Sequence, residues 1–396
     1  MSLLIRNGKA FLNGKFEKKD LLLDGGKIVS IGGSLKAGES IDAGGMLVLP
    51  GLIDPHVHLR EPGDTYKEDF VSGTRAAISG GFTTVMDMPN NAMPTVTRER
   101  LAEKARLARE KAVCDVLFHF GGTDSNFDEV KKADPGSLKL YLGRTTGDMI
   151  LKEPFSMEKH FLSFPKDRPI VLHACDHSEE EEESLERTYR IEEDAVAKAA
   201  SCGRRIHIAH ASTWKEIQIA KRYARCTVEV APHHLFLSSN DRERLGPLSR
   251  VYPPLRSERK RIGLWSALEM ADCIATDHAP HTIEDKEKGA AGFPGLETSL
   301  ALMLHGCDLG LIDRIWVVQR MSESVASAFN LYDRGRLEKG LKADVTIVDP
   351  KKVWEVDSGE MESKCKWTPF DGMKLKGKVH TVIRDGVPVF QEYAFI

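Results

Sequence analysis

The middle of the chain, residues 51–339, alternates short apolar or β-branched runs with stretches that have the period of an α-helix, such as TRERLAEKARLAREKA. Repeated strand–helix units form a parallel sheet with helices packed outside it. Eight such units match a closed barrel, whereas an open doubly wound sheet normally uses fewer strands. We therefore predict an α/β fold with a (β/α)8 TIM barrel. Its predicted strands are MLVLPGLIDPHVHL, FTTVMDM, CDVLFHF, SLKLYL, PIVLHA, RIHIAHA, CTVEVA and DCIATD.

Both ends of the chain have a different pattern, in which short apolar runs are separated by tight-turn sequences. NGK occurs at Asn7 and again at Asn13, and the C-terminal part returns to this style in ADVTIVDP and VHTVIRDGVPVF. Such turns join short antiparallel strands. We expect residues 1–50 and 340–396 to form one small β-sandwich domain, and residues 51–339 to form the barrel domain.

Charge and composition restrict the classes of partner. The formal net charge of the 396 residues is −3, and charged residues are mixed along the chain, which is not the pattern of a nucleic-acid-binding face or a polybasic anchor. The acidic run SEEEEESLER from Ser178 is interpreted as a hydrated helix or loop face. Seven scattered cysteines without a CxxC pair indicate neither a disulfide framework nor a thiolate zinc site.

The sequence also lacks membrane and export signals. No run approaches the roughly 20 apolar residues of a membrane span, and the N-terminal MSLLIRNGKAFLNGKF lacks the apolar core of a signal peptide. We expect a cytoplasmic protein whose partners are small molecules, with no nucleic-acid and no membrane partner.

A histidine pair lies in the first predicted strand, within GLIDPHVHLREPGDT. Residues i and i+2 of a strand face the same side, so His56 and His58 are predicted to project together into the barrel. A divalent metal would use both imidazoles, and a polar strand end is the alternative interpretation. Arg60 follows two residues later and is expected on the same face.

Other residue types that bind metals occur at the ends of later strands. His173 ends the fifth predicted strand, His210 the sixth and Asp277 the eighth. Barrel enzymes place their chemistry at the C-terminal ends of the strands, so we predict that these side chains meet the histidine pair. Each of them alone is equally compatible with a satisfied buried polar group. Weaker candidates are His207, His119 and His177, the last of which is expected in solvent.

Lys139 lies in the fourth predicted strand, within GSLKLYL. A protonated lysine cannot bind a cation and is costly to bury unpaired. A deprotonated lysine can react with carbon dioxide to form a carbamate whose two oxygens bind one metal each, and buried lysines shift their pKa readily. The position alone favours a structural lysine whose ammonium reaches solvent, with the carbamate as the alternative.

Six segments occur in an order that resembles the amidohydrolase superfamily and, within it, the dihydroorotases: DPHVHLREPG, GGFTTVMDMPN, LKLYL, HIAHAST, VAPHHL and ATDHAPHTIEDKEKGAAGFPGLET. The resemblance extends through essentially the whole chain. It implies reversible hydrolysis of the cyclic amide of (S)-dihydroorotate to N-carbamoyl-L-aspartate in pyrimidine biosynthesis. It also favours the carbamate at Lys139.

The resemblance implies two zinc ions per subunit, bridged by carboxylated Lys139 and by a hydroxide that attacks the ring amide. Asp277 would act as general base toward the hydroxide and then as general acid toward the leaving nitrogen. The implied metal ligands are His56, His58, Lys139, His173, His210 and Asp277.

The resemblance also implies contacts with the substrate. Arg60 would bind the carboxylate, because its planar guanidinium suits that group, and a salt bridge closing the barrel mouth is the alternative. The Gly-rich segment KEKGAAGFPGLET is expected to form a mobile flap whose backbone meets the substrate ring. The implied substrate-binding residues are His58, Arg60, Asn90, His281, Ala291 and Gly292.

Two positions qualify the resemblance. Tyr252 in VYPPLR replaces the Arg or Asn of many relatives, so one substrate contact is expected to be altered or supplied by backbone. His234 of APHHL matches a residue that some relatives use near a further metal, and we expect it outside the ligand set here. The family implies a homodimer or a complex with other pathway enzymes.

Alternative functions remain open at this point. Allantoinase, dihydropyrimidinase and hydantoinase share the metals and the cyclic-amide chemistry, but their substrates lack the carboxylate that Arg60 would bind. A non-catalytic scaffold relative is also possible in principle, although such proteins typically lose metal ligands and this chain has all six.

Overall fold

A computed structural model describes residues 2–33, 35–143, 149–176 and 180–396. The prediction for His177 and the first two residues of the acidic run lie outside the described residues. The observed strands are β1 (Leu3–Arg6), β2 (Lys9–Leu12), β3 (Lys15–Lys18), β4 (Asp20–Asp24), β5 (Lys27–Gly32), β6 (Glu39–Asp42), β7 (Leu47–Pro50), β8 (Leu52–Val57), β9 (Phe82–Asp87), β10 (Asp115–Phe118), β11 (Phe120–Gly121), β12 (Leu138–Tyr141), β13 (Ile170–His173), β14 (Ile206–Ile208), β15 (Cys226–Val230), β16 (Cys273–Ile274), β17 (Val345–Glu355), β18 (Lys374–Arg384), β19 (Val387–Gln391) and β20 (Ala394–Phe395).

Helices alternate with the central strands, as an α/β fold requires. The predicted helical stretch TRERLAEKARLAREKA becomes α2, which confirms that prediction. The helices are α1 (Phe70–Ser79), α2 (Arg98–Lys111), α3 (Phe127–Ala133), α4 (Ser156–Ser163), α5 (Glu181–Ser201), α6 (Trp214–Ala220), α7 (Pro232–Phe236), α8 (Arg242–Leu245), α9 (Glu258–Ala267), α10 (Ile283–Glu287), α11 (Leu296–Asp308), α12 (Arg314–Arg320) and α13 (Glu323–Ala328).

Side chains fix where these helices begin. Asp69 precedes α1 and accepts a hydrogen bond from the backbone N of Ser72 at 2.8 Å, which satisfies one of the free amides of the first turn. In α5, the described part of the acidic run exposes Glu182, Glu183 and Glu186, as predicted for a hydrated face. Within the described ranges, no helix has the length and apolar character needed to cross a membrane.

The central strands are parallel and form two sheets. Their orders are β10-β9-β8 and β11-β12-β13-β14-β15-β16, and every one of the eight predicted strands contains an observed strand. The backbone N of His58 donates to the carbonyl of His278 at 2.7 Å, so the end of β8 lies beside the segment that follows β16. The C-terminal ends of the strands therefore meet in one region.

The first predicted strand divides at Gly51 into β7 and β8. A Cβ at this position would collide with the side chain of Thr83, so glycine permits the close approach of the two segments. Strand β8 joins the parallel sheet, whereas β7 pairs with β17 from the C-terminal part of the chain. The apolar run thus contributes one strand to each of two different sheets.

Strands from both chain ends form two further sheets. Their orders are β5-β4-β1-β6 and β20-β19-β18-β17-β7-β2-β3. The predicted turn at Asn13 joins an antiparallel pair, whereas the turn at Asn7 connects strands of different sheets. One hydrophobic cluster joins the two sheets and includes Ile5, Val48 and Val345. The β2–β3 hairpin turns at Asn13 and Gly14, whose φ values of 48° and 75° are those that an Asn-Gly turn adopts.

Candidate active site

A cavity lies at the C-terminal ends of the parallel strands. Its walls come from segments that are far apart in the sequence, which is the arrangement that the strand-end argument predicted. Of the predicted site residues, His281 lies behind the wall and contacts Arg60, and the others line the cavity. The lining residues are His56, His58, Arg60, Asn90, Lys139, Tyr141, His173, His210, Tyr252, Asp277, Ala279, Ala291 and Gly292.

His56, His58 and Asp277 form the tightest group in this cavity. Nε2 of His56 lies 3.4 Å and Nε2 of His58 lies 3.2 Å from Oδ1 of Asp277. One ligand atom from each residue lies within 4.8 Å of the other two. Because all three can donate an electron pair to the same point, the group has the geometry of a metal site.

Hydrogen bonds hold both imidazoles in the orientation that this group needs. Nδ1 of His56 lies 2.5 Å from Oε1 of Glu229, and Nδ1 of His58 lies 2.9 Å from Oδ1 of Asn90. Since these oxygens only accept, Nδ1 carries the proton in each ring and Nε2 keeps its lone pair toward Asp277. Burial lowers the pKa of His58 to about 3, so its ring is neutral and able to bind a metal.

Asp277 is ionised in this environment. Burial acts to raise the pKa of its carboxyl group, but the neighbouring His56 and His58 hold the pKa below its usual value. Its backbone has a φ of 47°, in the left-handed region that side chains other than glycine seldom adopt. Strained backbone of this kind occurs often at functional sites, where the surrounding structure maintains it.

Lys139 lies in β12 and is fully buried beside the group. Its Nζ has no hydrogen-bond partner among the described residues, and the ring of Tyr141 lies 5.3 Å away. Burial lowers the pKa of Lys139 to about 8, against the opposing influence of Glu229 and Asp277. The predicted alternative of an ammonium that reaches solvent is therefore wrong, because the amine is enclosed.

His173 and His210 complete the cluster of metal-binding residue types. Nδ1 of His173 lies 2.8 Å from Nε2 of His210, and the ring of His210 lies 5.2 Å from that of His56. Burial, together with the neighbouring His173, keeps the pKa of His210 well below its usual value. Both imidazoles are thus placed next to the first group.

Arg60 reaches the cavity by a turn. Strand β8 ends at Val57 and Arg60 has a φ of 63°, so the prediction that it continues the strand face of the two histidines is wrong. Its Nε donates to the carbonyl of Pro280 at 3.1 Å, and its Nη2 lies 3.0 Å from Nε2 of His281. A guanidinium only donates, so His281 accepts at Nε2.

The Gly-rich segment closes over one side of the cavity and is anchored at several points. Nζ of the buried Lys286 donates to the carbonyl of Gly292 at 3.0 Å and also to that of Arg250. Gly292 has a φ of 145°, and a Cβ there would collide with Ala279. Nε1 of Trp367, from the C-terminal part of the chain, donates to the carbonyl of His281 at 2.7 Å. The predicted mobility of the segment stays a prediction.

The weaker histidine candidates satisfy their hydrogen bonds elsewhere. His207 bonds to Thr227 at 2.7 Å and to Glu229 at 2.9 Å, and His119 bonds to the carbonyl of Pro55 at 2.9 Å. His234 is buried and does not line the cavity, in keeping with its expected place outside the ligand set.

Glu229 is the main residue that sequence reasoning missed. Its carboxylate accepts from His56, from His207 and from the backbone N of His210 at 3.1 Å, and these contacts keep its pKa well below the usual value although burial acts to raise it. A signal was present in CTVEV, where Thr227 and Glu229 alternate with valines. That alternation places both polar residues on one face of β15.

The residues of the cavity fit a divalent metal. Neutral imidazoles and an ionised carboxylate converge within bonding reach of one point, and an enclosed amine without a hydrogen-bond partner lies beside them. Histidine nitrogen and carboxylate oxygen are ligands typical of zinc and related transition metals. The site thus supports metal-assisted chemistry.

Comparisons with known proteins agree with this geometry. A model of the amidohydrolase family matches residues 47–389. The dihydroorotase of Thermococcus kodakarensis is 38% identical over 98% of this chain and 94% of its own, and that of Pyrococcus horikoshii is 39% identical over 96% and 91%. Among solved structures, the L-hydantoinase (dihydropyrimidinase) of Arthrobacter aurescens has a TM-score of 0.93 at 27% identity and covers 100% of this chain and 97% of that one. The chain therefore belongs to the amidohydrolase family and, within it, to the dihydroorotases.

Proposed function

We propose that this protein is a dihydroorotase, which hydrolyses the cyclic amide of (S)-dihydroorotate reversibly to N-carbamoyl-L-aspartate in pyrimidine biosynthesis. The observation that carries the proposal is the position of Arg60, a buried cation in the wall of the cavity that also contains the histidines and Asp277. An acidic cyclic amide has the two features that such a cavity recognises, a carboxylate and a ring carbonyl.

A hydantoinase or dihydropyrimidinase activity is the second candidate. The structural likeness to the Arthrobacter enzyme favours it. Substrates of that class carry no carboxylate equivalent to that of dihydroorotate, so a buried arginine in the cavity wall would have no partner on them. The higher identity to dihydroorotases over nearly the whole chain also supports dihydroorotase activity over hydantoinase activity.

The metal site would contain two zinc ions, with Lys139 as the bridging ligand in its carboxylated form. The enclosed amine with its lowered pKa supports this role, because the neutral amine is the form that reacts with carbon dioxide. When bound, the ions would supply Lewis-acid activation of water and of the ring carbonyl. The residues that would hold them are His56, His58, Lys139, His173, His210 and Asp277.

Asp277 would move the proton in this reaction. Its ionised carboxylate accepts the proton of the attacking water as the new C–O bond forms, and it then donates that proton to the ring nitrogen as the C–N bond breaks. Without this transfer the nitrogen would leave as an amide anion, which is a very poor leaving group. The lowered pKa of Asp277 supports the first half of this role, because the group is a base at neutral pH.

Arg60 would bind the substrate carboxylate, with Asn90 and His281 beside it. His281 receives a hydrogen bond from Arg60, so the two residues orient each other. The backbone at Ala291 and Gly292, which also lines the cavity, would meet the substrate ring. Binding the carboxylate at a fixed point presents the ring carbonyl to the metal-binding residues.

The closed barrel and the β-sandwich are inferences from the observed sheets. We infer that the two parallel sheets are arcs of one (β/α)8 barrel over residues 51–339, because the end of β8 is hydrogen bonded to the segment after β16. The sheets from residues 1–50 and 340–396 would form a β-sandwich around their shared hydrophobic cluster. A cytoplasmic location and a homodimer or pathway-enzyme complex stay predictions.

The deciding experiment is a comparison of substrates on the purified protein, with the metal content measured in parallel. We expect hydrolysis of dihydroorotate to exceed that of allantoin and hydantoin by a large factor, and a metal content near two ions per subunit. Faster hydrolysis of an uncharged ring would favour the second candidate. A protein that holds no metal and hydrolyses none of the three would contradict both.

A further inference from the structure

Helix α2 packs against the rest of the protein through Leu101, Leu107 and Ala108 and also through one buried lysine. Of its 14 residues, Lys104 and Ala108 are buried, and the exposed fraction of Lys104 is 0%. Lysine is among the residue types that are least often fully buried, and when it is buried it is normally paired. The burial of this side chain in an otherwise polar helix therefore indicates a specific role.

The polar contacts of Lys104 are with the last residue of β9 and with the loop that follows it. Its Nζ donates to the carbonyl of Met88 at 2.7 Å and to Oδ1 of Asn91 at 2.7 Å, and it lies 2.8 Å from Oδ2 of Asp87. An ammonium has three protons, and three acceptors surround it. The lysine thus fixes this loop on both sides of Asn90.

The same contacts extend to the loop that carries Arg60. Oδ1 of Asp87 accepts from the backbone N of Leu59 at 2.9 Å, and Nδ2 of Asn91 donates to the carbonyl of Glu61 at 3.1 Å. The residues immediately before and after Arg60 are therefore each bonded to the loop of Asn90. Lys104 and Asp87 connect the two loops without lining the cavity themselves.

The energetics of buried ion pairs favour a positional role for this pair. Removing two charges from water costs about as much as their attraction returns, so an apolar pair of similar volume would stabilise the fold equally well or better. What an apolar pair cannot do is accept from Leu59 and donate to two different loop atoms at once. The charged pair therefore contributes geometry that packing alone does not supply.

We propose that Lys104 and Asp87 are positioning residues for the substrate carboxylate, holding Arg60 and Asn90 toward the same point of the cavity. This inference rests on the proposed function and deepens it, since it concerns the acidic group that distinguishes dihydroorotate from uncharged rings. A displacement of about 1 Å at such groups is enough to cost a large factor in activity.

The test uses metal-loaded full-length protein and three variants. The double variant Asp87→Asn with Lys104→Met removes both charges, so neither is left buried alone, and the amide still accepts from Leu59. Asn91→Ala removes one link between the loops at a partly exposed residue. It tests the positioning role if the double variant does not fold. Arg106→Met is the matched control, because Arg106 lies on the same helix and pairs with Glu110 at the surface.

Two ligands distinguish a positioning role from a general loss of structure in the variants. Dihydroorotate is the substrate, and its carboxamide is an uncharged competitive inhibitor. We expect the KM for dihydroorotate to rise about 10-fold in the double variant and about 3-fold in Asn91→Ala. The inhibition constant of the carboxamide, the metal content and the melting temperature should stay close to those of the wild type. Arg106→Met should change none of these quantities.

An unchanged KM in the variants that fold would overturn the positioning role, as would equal losses for the charged and uncharged ligands or a parallel loss of metal. Those outcomes apply when the wild-type protein hydrolyses dihydroorotate. A wild-type protein that leaves dihydroorotate intact would instead refute the proposed function, and this inference with it.

Discussion

Replacement of Glu229 with glutamine tests the proposed metal site through a residue that is not itself a proposed ligand. The carboxylate accepts from Nδ1 of His56 at 2.5 Å, from Nε2 of His207 at 2.9 Å and from the backbone N of His210 at 3.1 Å. Glutamine has the same shape, but it is neutral and an NH2 replaces one accepting oxygen. Its remaining oxygen can still accept from His56 and His210, which both bond to Oε1, while the NH2 faces His207. The loss of the negative charge weakens the bond that orients His56.

The expected loss of metal affinity follows from the proposed ligands that these contacts orient. Loss of a partner that holds a metal-binding histidine costs about 10- to 100-fold in metal affinity. Glu229 supports two proposed ligands, one through the ring of His56 and one through the backbone of His210. Because the amide oxygen keeps both contacts but lacks the charge, we expect a loss near the lower bound, about 10-fold, which corresponds to about 1.4 kcal/mol.

The assay is a competition for zinc between the protein and a chelating dye, followed by activity at saturating zinc. Thr227→Val is the matched control, because Thr227 lies on the same face of β15 and bonds to His207 at 2.7 Å but to neither proposed ligand. We expect the control to bind zinc within about two-fold of the wild type, well below the range for a lost orienting partner. Equal zinc affinity in Glu229→Gln and the wild type would refute the reasoning.

Three further predictions address the chemistry. Asp277→Ala should abolish turnover and leave substantial metal bound, and activity equal to wild type in a steady-state assay would contradict its role as proton carrier. Arg60→Met should raise the KM for dihydroorotate far more than that for an uncharged cyclic imide, and equal effects on the two would count against carboxylate recognition. Lys139 reacts with carbon dioxide as the neutral amine, and its pKa is lowered to about 8 by burial. Reactivation of metal-stripped protein by zinc and bicarbonate should therefore accelerate as the pH rises toward 8 and level off above it, and mass spectrometry of active holoenzyme showing an unmodified lysine would exclude the carbamate.

Local periodicity was sufficient to predict most of the elements. The helical stretch TRERLAEKARLAREKA and the eight apolar runs each produced the expected element, because local hydrophobic patterns report which faces are buried. The division of the first run at Gly51 was not predictable in the same way. It depends on the approach of Thr83 and on the pairing of β7 with a strand about 300 residues later, and neither is encoded locally.

The site was predictable where residue type and strand position coincide. His173 is the last residue of β13 and Asp277 follows β16, so the parallel topology brings them together. Arg60 lies in the cavity for a different reason from the one predicted, because a backbone turn with positive φ carries it there. Lys104 could not be found from sequence, since a lysine in a polar helix normally faces solvent and its partners lie on another segment.

The hydrogen bond from Trp367 to the carbonyl of His281 joins residues that are 86 positions apart. During synthesis, every proposed metal ligand has been made once the ribosome passes Asp277, but the contact that fixes His281 must await the tryptophan. The proposed metal ligands are therefore all present in the nascent chain before the residue that anchors His281, so the proposed pocket for the acid is the last part of the site to be completed.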